Sequence, residues 1–156
     1  MQDVHGQGGS ETTSRTRPVV LLAEDHDDSR RVYGLILRHF GYQVEEATNG
    51  EDAVELTRTS RPDLVLMDIG LPVLDGWQAS RILKSDPETT CIPLIAFSAH
   101  IDSTADLATR PTFDGYILKP ISPLELVRRV GAYIKLLDGG TVERVKYGGT
   151  VERWNA

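Results

Sequence analysis

The chain has 156 residues, a single cysteine, and 23 acidic against 17 basic side chains, for a net charge of −6. That length predicts one domain able to bury a core without a disulfide or metal staple. Cys91 alone excludes an internal disulfide and points to a reducing, cytoplasmic setting, while the acidic balance disfavours a generic nucleic-acid surface, which would be basic.

Residues 1–17, "MQDVHGQGGSETTSRTR", hold no apolar stretch, so they are expected to form a mobile tail rather than a secretory signal. From Pro18 short apolar runs recur: "VVLLA" (19–23), "LVLM" (64–67), "PLIAF" (93–97) and "YIL" (116–118). They are aliphatic without alternation, as expected of parallel strands covered on both faces. The more polar "YQVEEA" (42–47) reads as an edge strand. No run approaches the ~18 apolar residues of a membrane span, so no membrane partner is expected.

Helices are predicted between the runs. Asp27 or Asp28 can cap the first, which runs through Phe40 to a stop at Gly41. At about 100° per residue, Val32, Tyr33, Ile36, Leu37 and Phe40 form its apolar face toward the sheet, and Leu35 falls outside that arc beside Val32. "GEDAVELTRTS" forms the second helix, closed by Arg61-Pro62, and "DGWQASRILKS" the third, before Asp86-Pro87. "IDSTADLAT" (101–109) is a short, weakly apolar helix ended by Pro111. The last helix starts with a Ser122/Glu125 capping box and Pro123 in its first position, and Gly139 follows its end. Strands alternating with helices predict one doubly wound α/β domain over 18–138, a five-stranded parallel sheet with helices on both faces.

Ligands of such sheets bind beyond the carboxyl ends of the strands. Glu24 and Asp25 follow the first strand, Asp68 the third, Ser98 and Ala99 the fourth, and Lys119 and Pro120 the fifth. Three carboxylates in one crevice repel each other unless a cation holds them. Oxygen ligands favour a hard ion, and few carboxylates suit Mg²⁺. Gly70 and Pro72 bend the chain after Asp68 so that a backbone carbonyl near Gly70 can also face the metal. Asp68 itself can be a ligand, a nucleophile toward phosphorus, or both.

At these residues the chain resembles the receiver domain of bacterial response regulators. The matches are "ED" (24–25), "MDIGLPVLDG" (67–76), "SA" (98–99), "KP" (119–120) and Tyr116 three residues before the lysine, with 30 residues from Asp68 to Ser98. The likeness covers 18–138 and implies the strand order 2-1-3-4-5. It implies that Asp68 accepts a phosphoryl group from a histidine kinase or phosphotransfer protein. Asp25 and Asp68 would bind Mg²⁺ directly, Glu24 through a water and Gly70 by its carbonyl. Lys119 would neutralise charge on the transferring group and Ser98 would bind the phosphoryl oxygen, its movement admitting Tyr116 as the switch. A cis Lys119-Pro120 bond, docking of the kinase on the first helix through Val32 and Leu35, and a monomer or weak phosphorylation-dependent dimer follow from the same likeness. The chain departs from the pattern in having "RPTFDGY" (110–116) where a small Gly-Ala pair is often found, and one residue fewer between Ser98 and Lys119.

Each residue also has an ordinary structural reading. Asp68 can be a turn residue, Glu24 and Asp25 a complement to a helix dipole, Ser98 a loop hydroxyl, Lys119 a surface charge and Tyr116 a half-buried strand residue. Cys91 reads as inert. His100 reads as exposed, at a position where the likeness implies tuning of dephosphorylation. Three functions compete: a phosphorylation-controlled binding module that is not an enzyme, a Mg²⁺-dependent phosphohydrolase using Asp68, and an unphosphorylated scaffold. The hydrolase usually carries an acid two residues after its nucleophile; here that position is Gly70, and Asp75 is too distant to replace it. About 18 residues follow the last helix, too few for a DNA-binding or enzymatic domain, so output through contact with a downstream target protein, or by passing phosphate along a relay, is expected.

Those residues, 139–156, contain "GGTVER" twice, nine positions apart. Two copies are too few for a solenoid. Strand-favouring residues flanking Gly148-Gly149 instead predict a hairpin with a two-residue turn, which would set Tyr147 beside Thr150, Lys146 beside Val151 and Arg144 against Arg153.

Overall fold

A computed structural model describes residues 17–100, 112–135, 142–146 and 150–154. The four aliphatic runs and the polar one are strands: β1 (Val19–Ala23), β2 (Gln43–Ala47), β3 (Leu64–Met67), β4 (Leu94–Ser98) and β5 (Gly115–Leu118). They form one parallel sheet in the order β2-β1-β3-β4-β5. Alternate residues of each strand face opposite sides. Leu21, Ala23, Val65, Met67 and Ala96 join one core, which includes Val54 of helix α2 (Gly50–Ser60) and Leu83 of helix α3 (Gly76–Ser85). Val20, Leu22, Leu66, Phe97 and Ile117 join the other, with Leu37 of helix α1 (Asp27–His39) and Leu126 and Val130 of helix α4 (Pro123–Lys135). Burial on both sides explains why the runs do not alternate in the sequence.

Capping follows local chemistry. Asn49 accepts from Asp52 N at the start of α2, and Asp75 and Gln78 form a full capping box on α3. At α4 only half of the expected box forms: Ser122 Oγ accepts from Glu125 N at 3.3 Å, while the Glu125 carboxylate pairs with Arg128. At α1 the expected aspartate cap is corrected. His26 is the N-cap residue, without a side-chain cap bond, and Asp27 and Asp28 lie in the first turn. Gly41 has a φ of +99°, the left-handed conformation that lets the chain leave α1.

The apolar face of α1 also needs correcting. Leu37 is buried and Tyr33 and Ile36 pack against the same core, as expected, but Val32 is 51% and Phe40 43% exposed, and Gly34 is the other buried residue. Gly34 is covered by charged side chains: a Cβ there would meet Arg38 Nη1 at 3.1 Å and Glu46 Oε1 at 3.3 Å. Val32 lies about 140° around the helix from Leu37, at about 100° per residue.

The predicted helix at 101–109, Gly139 and the residues of the Gly148-Gly149 turn lie outside the described residues. Two further strands, β6 (Val142–Lys146) and β7 (Thr150–Trp154), pair antiparallel. Their register differs from the predicted one by a residue: Lys146 is opposite Thr150, Arg144 opposite Glu152, and Glu143 opposite Arg153. Three residues therefore connect the strands instead of two. The shift replaces the like-charged Arg144/Arg153 pair with two pairs of unlike charge, which directly opposed positions favour.

Candidate functional site

The sheet order reverses at β1, so a crevice opens between the carboxyl ends of β1 and β3. Ala23 is in register with Met67, and Met67 with Ala96. The residues that follow, Glu24 and Asp68, therefore leave the sheet side by side. Asp68 N is anchored on Ala23 O at 3.0 Å, and Lys119 N on Ser98 O at 3.0 Å. The backbone ladder thus places acid, hydroxyl and lysine before any side chain chooses a partner.

Asp68 is largely buried. Its Oδ1 accepts from Gly70 N at 3.1 Å and from Ser98 Oγ at 3.0 Å, and its Oδ2 lies 3.4 Å from Lys119 Nζ. Gly76 packs so closely under this loop that a Cβ there would collide with the Asp68 carbonyl and Ile69 Cα. Lys119 is also held by Glu24, which is fully buried, and its ammonium sits 5.2 Å from the centre of the Phe97 ring. Burial pushes the Asp68 carboxyl up, but Lys119 and the hydrogen bonds from Gly70 and Ser98 outweigh it and hold the pKa below the usual carboxylate value. Burial likewise opposes the Lys119 charge, and is overcome by the Glu24 hydrogen bond and the fields of Asp68 and Glu24, leaving that pKa raised.

One ammonium pairs with two carboxylates, Glu24 and Asp68, and Asp25 is a third beside them. Glu24, Asp25, His26 and Asp68 offer ligand atoms that all lie within 4.8 Å of one another. Asp25 Oδ1 is buried and makes no well-formed hydrogen bond, although His26 Nδ1 lies 3.2 Å from it. A buried carboxylate oxygen without a well-formed hydrogen bond, beside two other carboxylates, is the environment a hard divalent cation satisfies. His26 was not among the residues singled out from the sequence; its place directly after Glu24-Asp25 was the available signal.

The sequence profile of the response regulator receiver domain matches residues 20–131. The chain belongs to this family.

Among its curated relatives, the transcriptional regulatory protein AfsQ1 of Streptomyces coelicolor is 31% identical over 134 residues, covering 86% of this chain and 59% of AfsQ1. The transcriptional regulatory protein SrrA of Staphylococcus aureus is 32% identical over 125 residues, covering 80% and 51%. This receiver chain therefore spans a little over half the length of these relatives. Among solved structures, the receiver domain of the sensor histidine kinase PA1611 of Pseudomonas aeruginosa, solved with a magnesium ion in its active-site cleft, is 31% identical. Its TM-score is 0.71, covering 76% of this chain and 98% of that one. The receiver domain of the Francisella response regulator 1452 is 30% identical with a TM-score of 0.68, covering 76% and 98%.

The other residues singled out from the sequence are distributed around the receiver. Lys119-Pro120 is cis. Ser98 is the last residue of β4 and is buried. Tyr116 is half-buried on β5, packs against the core that contains Phe113, and has its hydroxyl pKa raised by burial. Phe113, the large residue in the divergent stretch, stacks edge-on against Trp77 of α3. Val32 and Leu35 (60% exposed) sit together on the exposed surface of α1. Asp75 caps α3 and does not enter the site.

Val73, in the loop after Asp68, has a φ of +68° and is 77% exposed. The left-handed conformation costs a β-branched residue roughly 1–2 kcal/mol. Val73→Asn is expected to raise stability by about 1 kcal/mol, seen as a higher urea midpoint at unchanged slope. An unchanged midpoint would show that the loop bears no such strain.

Proposed function

We propose that this receiver is a phosphorylation-controlled module that takes a phosphoryl group on Asp68 from a histidine kinase or phosphotransfer protein and signals through contacts with a target protein. The observation that carries the reading is the hydrogen-bonded set of Asp68, Ser98 and Lys119 beside an Asp25 oxygen that makes no well-formed hydrogen bond. A carboxylate oxygen of Asp68 forms the new bond to phosphorus as the bond from phosphorus to the donor's imidazole nitrogen breaks. Lys119 supplies fixed positive charge where the transferring oxygens pass, and fixed electrostatics are the main lever in this reaction. Ser98, now hydrogen-bonded to Asp68, turns to a phosphoryl oxygen, and the half-buried Tyr116 follows it inward, shifting a pre-existing equilibrium. Asp25 and Asp68, with Glu24 through a water and the Gly70 carbonyl, would hold Mg²⁺. When bound, that ion neutralises charge on the phosphoryl group.

Gly70 lacks the acid that a phosphohydrolase would need two residues after its nucleophile, which favours a lasting adduct over turnover. Incubation with a small acyl phosphate and Mg²⁺ tests this: a phosphoaspartate stable for minutes is expected, whereas continuous phosphate release or no labelling would reject the proposal. Asp25→Asn should slow the labelling and weaken Mg²⁺ binding.

The exposed Val32–Leu35 patch on α1 is the proposed kinase contact. Leu35→Glu is expected to slow transfer from the kinase while labelling by the small donor proceeds at the wild-type rate. Equal loss in both assays would remove the patch from the interface.

A further inference from the structure

The four-residue cluster at the crevice is not made of oxygens alone. His26 Nδ1 lies 3.2 Å from Glu24 Oε1 and 3.2 Å from Asp25 Oδ1. The backbone that carries the ring is held in place, because His26 is the N-cap of α1 and its backbone N–H donates to Glu24 Oε1 at 3.2 Å. A ring nitrogen between two carboxylate oxygens has two possible occupants. It can carry a proton and pair with them, or it can present its lone pair to a cation that they share. The Asp25 oxygen it faces is the buried one that lacks a well-formed hydrogen bond. The ring is 74% exposed, so it closes the outer side of the cluster and leaves the phosphoryl side, at Asp68, Ser98 and Lys119, open.

We propose that His26 is a nitrogen ligand of the crevice cation and shifts its selectivity from Mg²⁺ toward imidazole-binding transition ions, for which Co²⁺ is the probe. The inference rests on reading this crevice as a cation site. Carboxylate and water ligands suit Mg²⁺, whereas imidazole suits the later first-row divalent ions. An all-oxygen crevice would gain only the general increase in affinity along that series. With His26 as ligand, Co²⁺ gains a bond that Mg²⁺ scarcely uses.

The test compares wild type with His26→Asn, a substitution that favours folding because asparagine is among the best N-cap residues. Calorimetric titrations with Co²⁺ alone and with Mg²⁺ alone are run in a buffer alkaline enough to leave the ring neutral. The wild type is expected to bind Co²⁺ about tenfold or more tightly than His26→Asn, the size of effect that ligand-sphere changes produce. The Mg²⁺ affinities of the two should agree within about twofold. Proton NMR of the Co²⁺ form should show contact-shifted imidazole resonances that His26→Asn removes. Equal Co²⁺ affinities, or no shifted resonance assignable to His26, with Mg²⁺ still bound, would overturn the role of His26 alone. Absence of Mg²⁺ binding in both proteins would overturn the cation site and this inference together.

Discussion

Asp68→Asn is expected to abolish phosphoryl labelling, from a kinase and from a small acyl phosphate alike. An amide oxygen is a far weaker nucleophile toward phosphorus than a carboxylate, and no neighbouring acid is placed to substitute: Asp75 caps α3, and Glu24 is buried against Lys119. The replacement is also gentle to the fold. Asparagine keeps an oxygen for the Gly70 and Ser98 hydrogen bonds and leaves Lys119 paired with Glu24. The variant should therefore stay folded, with a modestly lower urea midpoint because the ion pair with Lys119 is lost. Loss of label in a folded protein assigns the phosphoacceptor; labelling at the wild-type rate would show the assignment to be wrong.

Lys119→Ala is expected to give the largest loss of stability of any single change at the site, about 3 kcal/mol or more in the presence of a chelator. Glu24 is fully buried and Lys119 is its cation. Removing one member of a buried pair strands the other charge, and such changes typically cost about 3–5 kcal/mol. The pH dependence should change as well. In the wild type, the lowered pKa of Asp68 contributes stability that is fully present above the ordinary carboxylate range. That stability is lost as the pH falls through the folded-state pKa. Without Lys119, the upward push of burial on Asp68 is opposed only by the Gly70 and Ser98 hydrogen bonds. The loss of stability on acidification should then shrink or reverse. Urea unfolding at several pH values measures both effects; a variant as stable as wild type at neutral pH would show that Glu24 finds another partner.

The paired strands β6 and β7 add a separate expectation. An isolated two-stranded hairpin is marginal in water, so it gains by leaning on a surface. If it docks on the receiver, Trp154 fluorescence should be blue-shifted relative to a free peptide of residues 139–156. Tail amides that exchange as fast as those of the free peptide would exclude docking.

Much of this protein was legible in its sequence because a parallel sheet writes itself plainly. "VVLLA", "LVLM" and "LIAF" are buried on both faces, so they lack polar interruptions, and the first polar residue after each run marks the sheet edge where ligands bind. Asp68, Ser98 and Lys119 could be placed at one crevice without coordinates for that reason. The caps Asn49 and Asp75 are equally local, since a side chain reaching three residues along its own helix needs no distant partner. Whatever depends on the distance between elements was decided only by the tertiary structure. α1 meets the core through Tyr33, Ile36 and Leu37 and leaves Val32 and Phe40 exposed, a rotation of the helix that an apolar pattern alone does not fix. Lys119 divides itself between Glu24 and Asp68 because β5 and β1 end at distances that no spacing along the chain encodes. The β6–β7 register, with Lys146 opposite Thr150, differs by one residue from the one that the Gly148-Gly149 spacing predicts. His26 joins the acidic cluster because the start of α1 turns its ring back over Glu24 and Asp25. A sequence records periodicity and neighbours along the chain; the separation of side chains across elements comes from packing.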